Sequence, residues 1–352
     1  MNHWIEHLSS LGARFHPDEA NGAEDFGRVL TATDLAGGFV APVTSLGLIA
    51  VAGEEAASFL HSQLTNDVEG LGRDEARLAG YCTPKGRLQA TFLMWRDAGN
   101  VYLQLPRAIQ PPLQKRLGMF VLRAKARLRD ATEEAATGAV LALGGAKAVE
   151  ALARHAGALP DAPWRKVDGA AGTVIRLPDA FGQPRFLWLT SPETAIAALP
   201  QLRETLALGG NAAWELSNIH AGVPQVTQPT QEQFVPQMIN FELIGGVNFK
   251  KGCYPGQEIV ARSQYLGKLK RRMALATLAD AAARAGDEVF ASDDPSQPAG
   301  MIVNAAPNGA GGADALVEIK LAALEQEVRH GAPGGARLDF QPLPYSLEAA
   351  EA

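Results

Sequence analysis

An α+β protein that ends in a small all-β unit is the fold class this chain predicts. From Thr44 to Leu208, apolar strand-like runs alternate with stretches of helical period. From Ala274 the texture changes to short strands separated by Gly, Pro, Asp and Asn turns. The first pattern is that of sheets carrying helices on one face. The second is that of a small barrel or sandwich. The 352 residues leave room for two or three domains at about 100–200 residues each. The boundaries are expected at 1–130 for an N-terminal α+β domain, 131–270 for a second, and 271–345 for a C-terminal β-barrel.

Residues 1–40 read as mostly helical and close on a turn at Gly37-Gly38. Thr44 to Val51 is a strand, and Gly53 to Ala57 opens an amphipathic helix. On that helix Ala56, Phe59, Leu60 and Leu64 recur at i, i+3, i+4 and i+8, a core-facing stripe. Strands at 77–82 and 87–95 flank a Thr83-Pro84-Lys85-Gly86 turn. A strand at 101–105 and a helix at 113–120 follow. The second domain repeats the alternation, with strands at 139–143, 172–177 and 185–190 and helices at 146–156 and 193–208.

The chain is 47% apolar and 20% charged, the balance of a soluble globular protein. A net charge of −6 disfavours a broad nucleic-acid footprint, so no direct nucleic-acid partner is expected. The basic run Lys268-Leu269-Lys270-Arg271-Arg272 reads as a solvated strand edge or helix end. Two cysteines, Cys82 and Cys253, make neither a disulfide framework nor a CxxC pair and predict a reduced, cytoplasmic setting. Met1 to His7 lacks the layout of a secretory signal, and no run approaches the roughly 18 apolar residues of a membrane span. The histidines form no HExxH or His-x-His pair, so no stably bound metal is expected.

The most informative stretch is Lys251-Gly252-Cys253-Tyr254-Pro255-Gly256-Gln257-Glu258. A thiol sits between a cation and a carboxylate, with glycine on both sides. Glycine admits positive φ and close approach, and a nearby ammonium favours the reactive thiolate. An extended segment would put residues i and i+2, Lys251 and Cys253, on one face. Glu258 also suits the positive N-terminal end of a helix running through Arg262.

These residues carry a family resemblance. Gln233-Phe234-Val235-Pro236-Gln237 leads through Asn240 and Gly245-Gly246-Val247-Asn248-Phe249 into the cysteine motif, and Val260-Ala261-Arg262 follows. Upstream, Phe59-Leu60-His61-Ser62-Gln63-Leu64-Thr65-Asn66-Asp67 and Tyr81-Cys82-Thr83-Pro84-Lys85-Gly86-Arg87 match first-domain segments, and Leu343-Pro344-Tyr345 matches the terminal one. Together they resemble the bacterial YgfZ family of folate-binding proteins and its mitochondrial iron–sulfur assembly relatives, a branch of the glycine-cleavage T-protein (aminomethyltransferase) superfamily. The likeness implies two α+β sheet domains around a central cavity plus the C-terminal barrel.

The resemblance also implies tetrahydrofolate, or a derivative, in that cavity with Cys253 at its mouth. Cys253 would be the key residue and Lys251 its electrostatic partner. Trp214 matches a family tryptophan that packs on folate, and an aromatic face suits a flat heterocycle. His220, Tyr254, Gln257, Glu258 and Arg262 complete the folate set that the resemblance implies, and the amide of Gln257 and carboxylate of Glu258 can pair with the donors and acceptors of a pterin edge. His220 stands where relatives often carry a glutamate, the pterin-binding carboxylate of the aminomethyltransferases. A second family tryptophan falls near Leu46 and is absent. Asp67, Lys85 and Arg87 are weaker cavity candidates. The function implied is that of an accessory factor in iron–sulfur cluster assembly or repair, with iron–sulfur enzymes or assembly proteins as partners. The alternative is a folate-dependent one-carbon transferase. Two distant cysteines cannot hold a cluster that takes four ligands.

Overall fold

A computed structural model describes residues 3–17, 21–266 and 269–347. Three larger sheets organise them. The first orders Ala76–Cys82, Leu88–Arg96, Asn100–Pro106, Leu46–Ala52 and Arg127–Asp130, every neighbour antiparallel. The second orders Lys166–Gly169, Gly172–Ala180, Gln183–Thr190, Ala139–Gly144, Phe39–Pro42 and Ala207–Leu208, antiparallel except for the last pair. The third is the C-terminal six-stranded barrel, from Arg271–Leu278 to Leu338–Gln341. A bridge between Arg329 and Arg337 brings its end strands together, so it is nearly closed.

Side-chain alternation sorts each sheet into two cores. Leu46, Leu48 and Ala50 face a central cluster, while Ile49 and Val51 face an outer one with Phe59, Leu60 and Leu113. In the second sheet Leu187 and Leu189 point to the centre, and Phe186 and Trp188 point out towards Leu152 and Leu199. This period of two lets each sheet present one face to helices and the other to its partner. The central cluster also takes in Met273, Leu275 and Leu316 of the barrel.

The N-terminal stretch is not mostly helical. It holds helices His3–Ser10 and Ala32–Gly37, a small pairing of Arg14–Phe15 with Ala23–Asp25, and the strand Phe39–Pro42. Thr31 and Asp34 form a capping box that starts the second helix. The helix expected to reach Leu208 ends at Leu202, just after Pro200, whose ring nitrogen has no N–H to donate. Ala207 and Leu208 then pair with Phe39 and Val40 instead. The basic run is no solvated edge either: Arg271 pairs with Glu318 and the buried Arg272 with Glu242, while Lys268 lies outside the described residues. Among the described residues, no helix is long and apolar enough to cross a membrane.

Candidate functional site

Three segments that are far apart in sequence meet around Cys253. The Lys251 ammonium donates to the carbonyl oxygens of His61 and Leu64, the latter at 2.9 Å. Thr65 Oγ1 donates to Gly246 O at 2.6 Å and Asn66 Nδ2 to Gly245 O at 2.7 Å. The Asn248 N–H donates to Thr65 O at 2.9 Å. Farther along, Gly256 (φ +83°) lies so close to the Thr83–Gly86 turn that a Cβ there would sit 2.4 Å from Thr83 O. The cysteine motif is thus pinned between the two upstream motifs by backbone contacts.

The pinning divides the motif's side chains. Lys251 is half-buried, with its Nζ 4.9 Å from the centre of the Tyr254 ring. Burial lowers its pKa to about 8, although the charges of Asp67, Cys253 and Glu69 oppose the shift. Its ammonium is committed to two carbonyls, and the field of Cys253 reaches it without a direct hydrogen bond between them. Cys253 itself is exposed. Tyr254 is buried, which raises its phenol pKa, and the charge of Cys82 adds to the rise. Cys82 is 2% exposed and its thiol is pushed up to about 12 by burial. The two cysteines therefore differ sharply in access.

Gln257, Glu258 and Arg262 lie on the helix Gln257–Tyr265, with Glu258 in its first turn and Glu258 and Arg262 exposed. None of these, nor Cys253, Lys251 or Tyr254, lines the central cavity.

That cavity lies between the inner faces of the first two sheets and spans about 500 Å³ only when the open solvent at its mouth is counted. Trp214, on the helix Asn211–His220, does line it, together with Leu46, Phe92, Gln104, Trp164 and Arg185. The indole Nε1 of Trp214 is buried and has no hydrogen-bond partner. The Arg185 guanidinium sits 5.9 Å from the centre of the Trp214 ring. Leu46 is in the lining, where the family tryptophan was expected to be missing. Trp164 and Leu78 also border an outer cleft containing Asp67, Asn248 and Lys250, which links the cavity's edge to the start of the cysteine motif. Lys85 is exposed on its turn, and Arg87 donates to Gln233 O.

His220 faces elsewhere. Its Nε2 lies 2.6 Å from Asp314 Oδ2 in the barrel, and Phe181 tilts over the imidazole at 4.3 Å. Asp314 also accepts from Thr277 Oγ1 at 2.8 Å and Asn308 Nδ2 at 3.1 Å. Burial works to raise the Asp314 pKa, yet these hydrogen bonds outweigh it and hold the carboxyl below its ordinary range. The pair joins the second sheet's helix to the barrel.

Sequence reasoning missed Arg185 and Gln104. Arg185 carried a signal, because it occupies the inward register of Leu187 and Leu189 in an otherwise apolar strand. A charge on a core-facing position calls for a reason.

No family model matches the chain. The glycine cleavage system aminomethyltransferase T of Bartonella henselae superimposes with a TM-score of 0.75 over 97% of this chain and 96% of that one, at 17% identity. The T-protein fold is therefore shared. The tRNA-modifying protein YgfZ of Cronobacter sakazakii is 30% identical over 228 residues, 64% of this chain and 67% of the relative. The protein of the same name from Edwardsiella ictaluri is 31% identical over 311 residues, 86% of this chain and 91% of the relative. With that identity sustained from the first sheet into the barrel, the chain belongs to the YgfZ family.

Proposed function

We propose that this protein is a cytoplasmic, folate-binding accessory factor in iron–sulfur cluster assembly or repair. It would support iron–sulfur enzymes, including tRNA-modifying ones. The observation that carries this reading is the separation of two features. One is an exposed thiol, Cys253, held up by a backbone platform. The other is an interior cavity with an unsatisfied indole N–H at Trp214. The relatives' name, tRNA-modifying protein, supports the link to tRNA modification.

The cavity residues fit a flat polar heterocycle. Trp214 and Trp164 give aromatic surface, and Gln104 and Asn218 give amides. Tetrahydrofolate, when bound, supplies a carrier for one-carbon units. The chain's own residues bind and orient it and keep water from the interior. The exposed helix residues Glu258 and Arg262 fit the face offered to a client protein, whereas Tyr254 is buried and Gln257 half-buried. A cluster is cargo at a client's site. One exposed and one buried thiol fall short of four ligands, so Cys253 can lend a thiolate only transiently or as a shared ligand.

The shared T-protein fold favours a second reading, a tetrahydrofolate-dependent one-carbon transferase. Complementation of a deletion strain with Cys253→Ala separates the two. The accessory reading expects loss of methylthiolated tRNA nucleosides with normal protein levels. Full restoration by Cys253→Ala, with folate-dependent formaldehyde or ammonia release by the purified protein, would put the transferase first.

A further inference from the structure

The central cavity contains a cation without a counter-charge. Arg185 is 2% exposed. Its Nε donates to Pro178 O at 2.8 Å, and its Nη1 donates to Ser217 Oγ at 2.8 Å and Asn218 Oδ1 at 3.0 Å. All three acceptors are neutral. Among the described residues Nη2 has no acceptor, and the guanidinium forms no ion pair. The charge of Asp179 reaches it, but that carboxylate is already paired with Arg176 at 2.7 Å. Burial drives the Arg185 pKa down to about 9, which leaves it charged at neutral pH. No residue lining the cavity is Asp or Glu.

Buried charges are normally paired, because an uncompensated one is costly to keep out of water. Here the second orphan is also a donor, the Trp214 Nε1. The inner wall therefore offers donors and lacks acid acceptors. A carboxylate wall would take the amide donor edge of a pterin, and this wall complements the opposite pattern.

We propose that Arg185 is the recognition residue of this cavity, and that it selects a flat ligand turning an anionic oxygen inward. In choosing a folate as the ligand this rests on the function proposed above, whereas the charge requirement stands on the cavity alone. The oxygen can come from an enolised pterin lactam or from a carboxylate. Either would accept from the Arg185 fork and the Trp214 indole.

Tryptophan fluorescence and calorimetry on the full chain test this with four probes. They are folinate, tetrahydrobiopterin (ring without glutamate), p-aminobenzoylglutamate (tail without pterin) and naphthoate (an unrelated flat carboxylate). Arg185→Gln should weaken folinate by about tenfold or more, with Arg185→Lys between the two because it keeps charge without the planar fork. The same dependence with tetrahydrobiopterin would assign the lactam as the source, and with p-aminobenzoylglutamate the carboxylate. If Arg185→Gln fails to fold, Arg185→Lys carries the comparison. Folinate bound equally by wild type and folded variants would overturn the Arg185 assignment and leave the folate reading intact. Arg185-dependent naphthoate binding without any folate binding would do the reverse. No binding of any probe at about 1 mM, the weak end of specific affinity, would overturn both.

Discussion

The Nζ of Lys251 donates to Leu64 O at 2.9 Å, joining residues 187 positions apart in sequence. A side chain read from sequence as a partner for the neighbouring thiol is thus also a clamp between two motifs. Its loss should show in structure as well as in reactivity. Lys251→Met keeps the stem over Tyr254 but leaves the carbonyls of His61 and Leu64 without their donor. A destabilisation of about 1–3 kcal/mol is expected in urea unfolding, the usual cost of orphaned buried acceptors. An unchanged midpoint would show that the clamp is dispensable.

Lys251 should also titrate unusually low. Burial sets its folded pKa near 8, against 10.5 for an ordinary lysine. Between those values the unfolded chain binds more protons than the folded one. Its contribution to stability therefore rises with pH across that window, as the penalty on the buried charge is relieved. A ¹³C-labelled lysine titration followed by NMR should show one Nζ-adjacent carbon moving near pH 8. That signal should vanish in Lys251→Met.

The thiols give a third test. Cys253 is exposed and Cys82 is buried with its pKa pushed up to about 12. At neutral pH Cys253 should alkylate at least about tenfold faster, with Cys82 protected until the chain unfolds. Mass-spectrometric labelling that modified both at similar rates would contradict this arrangement.

How much could be read before the structure depends on the range of the interactions. Strands such as Leu88–Arg96 and Gln183–Thr190 are apolar and bounded by turn residues, so local pattern locates them within a residue or two. Phe39–Pro42 has only four residues and exists because Ala139–Gly144 and Ala207–Leu208 flank it, which no local window reveals. In the site, the motif alone singled out Cys253 and Lys251. Where Lys251 points depended on two distant carbonyls, that of His61 at a helix end and that of Leu64 just beyond it. His220 was legible as a departure from the family pattern. Its partner, Asp314, lies 94 positions away and belongs to the barrel.

That partner makes the glutamate that the resemblance implies a poor fit at position 220. His220→Glu would place a carboxylate where the imidazole now lies 2.6 Å from Asp314 Oδ2, both largely buried. Like charges there should destabilise the chain by about 2–4 kcal/mol, and adding Asp314→Asn should restore most of it. The Asp314 folded pKa lies below its ordinary 3.8, so its stabilising share is present above that pH and lost as pH falls through the folded value. A stable His220→Glu single variant would mean that the barrel contact is weaker than its geometry indicates.

The close approach of Gly256 to the Thr83–Gly86 turn supplies the last prediction. A methyl group at Gly256 meets two obstacles at once. Its φ of +83° is one that side-chain-bearing residues rarely adopt, and its Cβ would sit 2.4 Å from Thr83 O and 2.7 Å from the Gly86 backbone. Gly245, at φ +81°, shares the first obstacle but has nothing within 4 Å of its Cβ. The two alanine variants therefore separate backbone strain from contact. Gly245→Ala should cost about 1 kcal/mol from conformation alone, and Gly256→Ala about 2–4 kcal/mol, because backbone atoms must also move apart. The extra cost should appear as altered Cys253 alkylation and earlier labelling of Cys82, since the turn follows the strand Ala76–Cys82 directly. Equal melting temperatures for the two variants would mean that the turn yields freely, and that the platform under Cys253 is held by Lys251 rather than by glycine packing.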